Sequence, residues 1–248
     1  MRSVALAFPA TLPVWRADQL DRSSVAGEAA RPTGYAALDA ELPGGGWPAV
    51  GLVELLLAAP GCGELRLLAP ALAPTSLPCS VLWVAPPYTP YAPALAALGL
   101  AVDRLVVATP ASAADAAWAA EQALRSGALS AVLWWQASDG RTPALSTTLR
   151  RLHLAAMEGR TPLFALRPVA ARAQSSPAPL RLMLEPAGPS QLAVEVFKRR
   201  GPPMAAPLVL TLPGPRALRR RLASSPPAVR GEEAGHAVVR PAPERVAA

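Results

Sequence analysis

The apolar run Leu52-Val53-Glu54-Leu55-Leu56-Leu57 passes through Ala58-Ala59-Pro60-Gly61-Cys62-Gly63 into the helix-forming run Glu64-Leu65-Arg66-Leu67-Leu68. A buried strand, a Pro/Gly turn and a helix in this order form the layout of a phosphate-binding loop. The working form, G-x-x-x-x-G-K-S/T, cradles phosphates on backbone N–H groups, reaches the outer phosphates with Lys and holds Mg²⁺ through the hydroxyl. Here Glu64 stands at the lysine position and Leu65 at the hydroxyl position. A carboxylate repels a triphosphate, and an isobutyl group ligates no metal. The expectation is a nucleotide-binding scaffold without its chemistry, and no cofactor. Gly61 and Gly63 still leave backbone free near a helix N-terminus, intrinsically an anion site, so a nucleotide switch with unorthodox residues remains a competing reading. A tight strand-to-helix turn is the plainer one.

The rest of the chain repeats the strand–helix alternation. Val50–Leu57, Ser80–Ala85, Arg104–Ala108, Ser130–Trp135 and Leu163–Leu166 read as strands. Helices are expected near Leu65–Leu72, Tyr91–Leu98, Ser112–Gly127 and Leu145–Glu158. Ser112 and Asp115 form an S-x-x-D cap, Gly127 suits a left-handed C-terminal cap, and Ala117, Ala120 and Leu124 predict the buried stripe. Strands near Leu180–Leu184, Leu192–Phe197 and Leu208–Leu212 follow without helices between them. The fold class is therefore α/β: a mostly parallel sheet flanked by helices and ending in antiparallel strands. Residues 1–30 read as a loose arm with a short helix near Ala17–Ser23. Residues 31–49 read as loop with an apolar turn at Leu38-Asp39, and 31–212 as the core domain. Residues 213–248 read as a basic, Pro-rich, disordered tail.

At 248 residues the chain can bury a sizeable core. Of its 24 basic residues only Lys198 is lysine, a bias that fits the abundant alanine and proline, so arginine preference carries no functional weight. Charge position does. Residues 160–221 hold 11 basic and 2 acidic side chains, for +9, whereas residues 1–159 hold 10 and 12, for −2. That asymmetry suits a polyanion or an acidic partner, or an ordinary solvated arginine surface. Cys62 and Cys79 make no disulfide framework and have no metal spacing, and His153 and His236 lie far apart, so no metal is expected. His153 reads as a surface or packed histidine. The apolar start is broken by Pro9 and Pro13, and no run spans a membrane, so the expected location is the cytoplasm with no membrane contact.

Thr33-Gly34, Ala37-Leu38-Asp39, Leu42-Pro43-Gly44-Gly45-Gly46 and Val53-Glu54-Leu55 resemble the entry to the ATP-binding core of RecA. The likeness continues through Leu98-Gly99-Leu100, Ala119–Gln122, Arg125-Ser126-Gly127-Ala128 and Val194-Glu195-Val196-Phe197-Lys198, and covers Pro32–Leu212. It implies a RecA-like P-loop NTPase fold whose nucleotide site is degenerate. Besides Glu64 and Leu65, the water-activating glutamate of RecA-type enzymes aligns with Pro87, and the Mg²⁺-orienting aspartate with Trp135. Four chemical roles are missing together, so a pseudo-ATPase rather than an enzyme is expected. Lys198 and Arg200 resemble the two cationic positions that in RecA filaments reach a neighbour's nucleotide; charges guarding an edge strand are the bland alternative.

A RecA-like core without an ATP site is similar to the ImuA proteins, SOS-inducible accessory factors of translesion DNA synthesis related to the SulA division inhibitors. The similarity lies in Leu42–Gly46, Glu64–Leu68, Val84–Tyr88, Ala119–Gly127 and Glu195–Gly201. It implies an adaptor in a mutasome with ImuB, a Y-family polymerase homologue, and indirectly with an error-prone DnaE-type polymerase. RecA is a further implied partner. A SulA-like inhibitor of FtsZ is the alternative. The candidate contacts are Trp47, as an exposed aromatic in the glycine-rich loop, together with Lys198, Arg199, Arg200, Arg219, Arg220 and Arg221. Non-specific, salt-sensitive DNA binding is a subsidiary expectation. Trp83, Trp134 and Trp135 read as core rather than as a stacking platform.

Overall fold

The computed structural model describes residues 30–73, 79–136, 145–202 and 204–213. The expected N-terminal arm, the helix at Ala17–Ser23, the tail beyond Pro213 and Arg219–Arg221 lie outside these residues. Strands are β1 (Gly51–Leu57), β2 (Ser80–Val84), β3 (Leu105–Ala108), β4 (Leu129–Trp135), β5 (Pro162–Pro168), β6 (Leu180–Gly188), β7 (Gln191–Lys198) and β8 (Leu208–Thr211). Helices are α1 (Ala36–Glu41), α2 (Glu64–Leu72), α3 (Ala92–Ala97), α4 (Ala113–Arg125) and α5 (Leu145–Glu158).

One sheet contains all eight strands in the order β3-β2-β4-β5-β1-β6-β7-β8. Strands β3 to β6 run parallel in this order, and β7 and β8 are antiparallel additions. β1 is flanked by β5 and β6, and all seven of its residues are buried. Its apolar character, broken only by Glu54, follows from that position: a parallel strand covered on both faces has no solvated side. Val53, Leu55 and Leu57 join the core formed with Leu67 and Leu68 of α2, Leu38 of α1, Trp47 and the β6–β8 strands. Leu52 faces the other way, against Leu149 and Leu152 of α5 and Ala120 and Leu124 of α4.

The expected strands and the four expected helices form, with small shifts in their ends. Ser112 caps α4 as expected: its hydroxyl accepts from the Asp115 N–H at 3.1 Å and donates to the Asp115 carboxylate at 2.7 Å. Gly127 has the left-handed φ of 63° that its capping role requires. The buried stripe of α4 is Ala116, Ala120 and Leu124; Ala117 is only half-buried. The supposed turn at Leu38-Asp39 is the helix α1, organised by the Asp39 carboxylate, which accepts from the Thr33 N–H at 2.8 Å. A five-residue 3₁₀ helix, Val169–Ala173, interrupts the helix-free stretch expected after β5. Among the described residues no helix is long and apolar enough to cross a membrane.

Candidate functional site

The carboxyl ends of parallel strands are where open α/β sheets place their ligands, and the loop Ala58–Gly63 leaves β1 at that edge. The Ala58 N–H donates to the Leu184 carbonyl at 3.1 Å, so the sheet holds the chain one residue past β1. The Cys62 N–H then turns back to the Ala59 carbonyl at 3.3 Å. Gly63 has φ 125°, a conformation that favours glycine, and an added Cβ would also press on a Leu212 methyl at 2.8 Å.

Glu64 does not project toward a ligand. It is buried at 3% exposure, and its carboxylate folds back over its own loop. Oε1 accepts from the Gly61 N–H at 2.8 Å and Oε2 from the Gly63 N–H at 3.0 Å. Successive amides converging at a helix N-terminus form an anion nest, favoured by the helix dipole. The anion in this nest is covalently part of the loop. Burial first, then the Glu64 carboxylate, pushes the neighbouring Cys62 thiol up to about 12. At neutral pH it is therefore a protonated thiol and a poor nucleophile. Cys62 and Cys79 are both free.

Beside the loop lies a groove of about 300 Å³. Leu65, Pro87, Tyr88, Tyr91, Trp83 and Trp135 line it, so the three positions read from sequence as lost catalytic groups converge with the loop. Trp83 and Trp135 meet edge-on with centroids 5.4 Å apart. Both are buried, as expected for core tryptophans, while Tyr88 and Tyr91 are 67% and 70% exposed. Arg66 also borders the groove, but its guanidinium donates to the carbonyls of Leu212 at 3.0 Å and Pro213 at 3.1 Å. Rings, prolines and aliphatic side chains make up most of the groove's lining. Among the described residues no group of three or more His, Cys, Asp and Glu side chains comes together to hold a metal.

The expected contact residues divide. Trp47 is not an exposed anchor: it is fully buried, edge-on to Phe164 at 5.6 Å. Its loop is fastened by paired hydrogen bonds between Arg31 and Trp47, 2.8 and 2.7 Å, which turn the indole inward. Lys198 ends β7 beyond the stretch Gln191–Val194 that pairs with β8, so the strand is open on that side there, and its Nζ donates to the Ser176 carbonyl at 2.8 Å. Arg199 pairs with the Glu41 carboxylate at 2.7 Å and donates to the Pro202 carbonyl at 2.7 Å. Of these three cations, Arg200 alone has no hydrogen bond or ion pair to a described residue.

Sequence reasoning missed the most strongly coupled charges. Glu54, fully buried in β1, accepts from Arg167 at 2.9 Å and Ser176 at 2.6 Å on one oxygen, and from Arg181 at 2.6 Å on the other. Arg167 also donates to Gln136 and Gln174, each at 2.6 Å, and Arg181 to the Ala171 carbonyl at 2.9 Å. The network ties the 169–179 connection to the sheet. Burial holds the Arg167 guanidinium below its usual value, against the opposing pull of Glu54. A lone glutamate inside an otherwise apolar strand was the available signal, since a buried charge demands a partner.

A scan against protein-family models finds none that matches the chain, and a search of curated protein sequences finds no match.

Proposed function

We propose that the protein is a non-catalytic adaptor with a RecA-like core and a self-occluded nucleotide site, working in the cytoplasm in damage-induced translesion DNA synthesis. One observation carries the pseudo-ATPase reading: the Glu64 carboxylate occupies the Gly61 and Gly63 amides on which a phosphate would have to rest. ATP would have to displace a hydrogen-bonded, buried carboxylate and would then meet its charge. Pro87 and Trp135 supply neither a base nor a metal ligand in the adjoining groove. The translesion role rests on the sequence resemblance to ImuA proteins, and its implied partners are an ImuB-like Y-family homologue and RecA.

Two measurements test the proposal separately. Purified protein should show no thermal shift with Mg²⁺-ATP or Mg²⁺-ADP; Mg²⁺-dependent hydrolysis abolished by changing Glu64 would end the pseudo-ATPase reading. The adaptor role predicts a stable complex with an ImuB-like protein in size-exclusion chromatography. Stoichiometric inhibition of FtsZ polymerisation without such a complex would overturn it in favour of division inhibition.

A further inference from the structure

A second groove, of about 330 Å³, opens at the opposite end of β1 from the Glu64 loop. Its lining includes Pro48, Pro177, Pro179 and Met157, with Arg200 and His153 among them. Three elements converge here: the turn before β1, the turn before β6 and the end of α5.

The polar groups in this apolar setting are few and specific. His153 Nδ1 accepts from the Leu52 N–H at 3.3 Å, which fixes the proton of the neutral ring on Nε2. Burial lowers its pKa and so favours that neutral form. In that form the imidazole carries a single N–H donor, on Nε2. Arg200 is exposed and has no partner among the described residues, so its forked guanidinium is available to a planar anion. An exposed guanidinium set among prolines and a methionine matches a ligand that is apolar along its body and anionic at one point.

The neighbouring cations decide which class of macromolecule supplies that ligand. A nucleic-acid backbone is gripped by several free cations in a row. Arg199 is instead paired with Glu41 and Lys198 spends one of its donors on Ser176, while of the three only Arg200 lines the apolar groove. We propose that this groove docks a short acidic–apolar peptide segment of a partner protein, with a carboxylate on Arg200 and an adjacent aliphatic side chain against Met157 and the prolines. This inference rests on a different end of the molecule from the Glu64 loop and survives or fails independently of the nucleotide question.

The test uses full-length protein and a blocked hexapeptide bearing two aspartates followed by two leucines, titrated by calorimetry at low salt. Saturable binding is expected, about tenfold weaker for Arg200→Gln, as loss of one charge-assisted contact implies. The same weakening is expected when asparagine replaces aspartate in the peptide, and a smaller one for Met157→Ala. Arg150→Gln, which removes an equal charge from an exposed part of α5, should leave affinity unchanged. No binding, equal binding of the asparagine peptide, or equal weakening by Arg150→Gln and Arg200→Gln would overturn the proposal. Displacement of the peptide by a single-stranded oligonucleotide, abolished by Arg200→Gln, would overturn it in favour of nucleic acid.

Discussion

Two buried glutamates ten residues apart show how differently one side chain can be satisfied. Glu64 is held by two amides of its own loop, whereas Glu54 is held by guanidinium groups from β5 and β6. Removing the Glu54 carboxylate strands two buried arginines without their counter-charge. Glu54→Ala should therefore cost about 3–5 kcal/mol in urea unfolding, the usual penalty for breaking a buried pair from one side. A loss below about 1 kcal/mol would show that water compensates the arginines. His153 gives a pH signature. Burial places its native pKa below the ordinary 6.5, and a protonated Nδ1 cannot accept from Leu52. The native state thus binds the proton more weakly than the unfolded chain does, so stability rises with pH across the window between the two values. The contribution is complete above 6.5 and is lost as pH falls through the native value. Melting temperatures between pH 7 and 5 should fall further for wild type than for His153→Gln; parallel profiles would remove His153 from the account.

Elements whose signals are local could be read in advance, and those that depend on distant partners could not. α4 announces both of its ends, through Ser112 and Gly127, and begins and stops accordingly. Ser112→Ala should cost about 1 kcal/mol, the ordinary worth of an N-cap, measurable by thermal unfolding, with Ser112→Asp retaining most of it. α1 escaped notice because six residues among glycines and prolines carry too little periodicity; its order comes from Asp39 reaching back to Thr33 and from burial of Leu38. Trp47 was misread for a similar reason. A glycine-rich loop suggests exposure, but the pairing of Arg31 with Trp47 folds that loop onto the core. At the candidate site the sequence placed Glu64, Leu65, Pro87 and Trp135 together, and the structure brings all four to one groove. The destination of the Glu64 carboxylate was not legible, because a sequence records the charge at a position and not the direction in which it points.

Across the whole molecule, the two ends of the central strand carry different surfaces. The carboxyl edge holds the self-liganded loop and the aromatic groove, and the opposite edge holds the proline-walled groove beside Arg200. Most of the described cations in residues 160–221 are already held by neighbours, Arg200 being the exception. Arg167 and Arg181 are sunk on Glu54, Arg172 pairs with Glu195 at 2.7 Å, and Lys198 and Arg199 fasten loops. Charge counted along a chain therefore overstates the charge offered to a polyanion. Arg199 provides the sharpest separation, because its side chain is 11% exposed and bridges Glu41 and Pro202. Arg199→Ala should lower stability by about 1–2 kcal/mol through the lost charge-assisted hydrogen bonds. The same variant should leave single-stranded DNA affinity within about twofold of wild type and should not flatten its salt dependence, since a residue that touches no phosphate releases no counterion. A DNA-binding loss with a shallower salt slope at unchanged stability would make Arg199 a phosphate contact and return the basic half of the chain to nucleic acid.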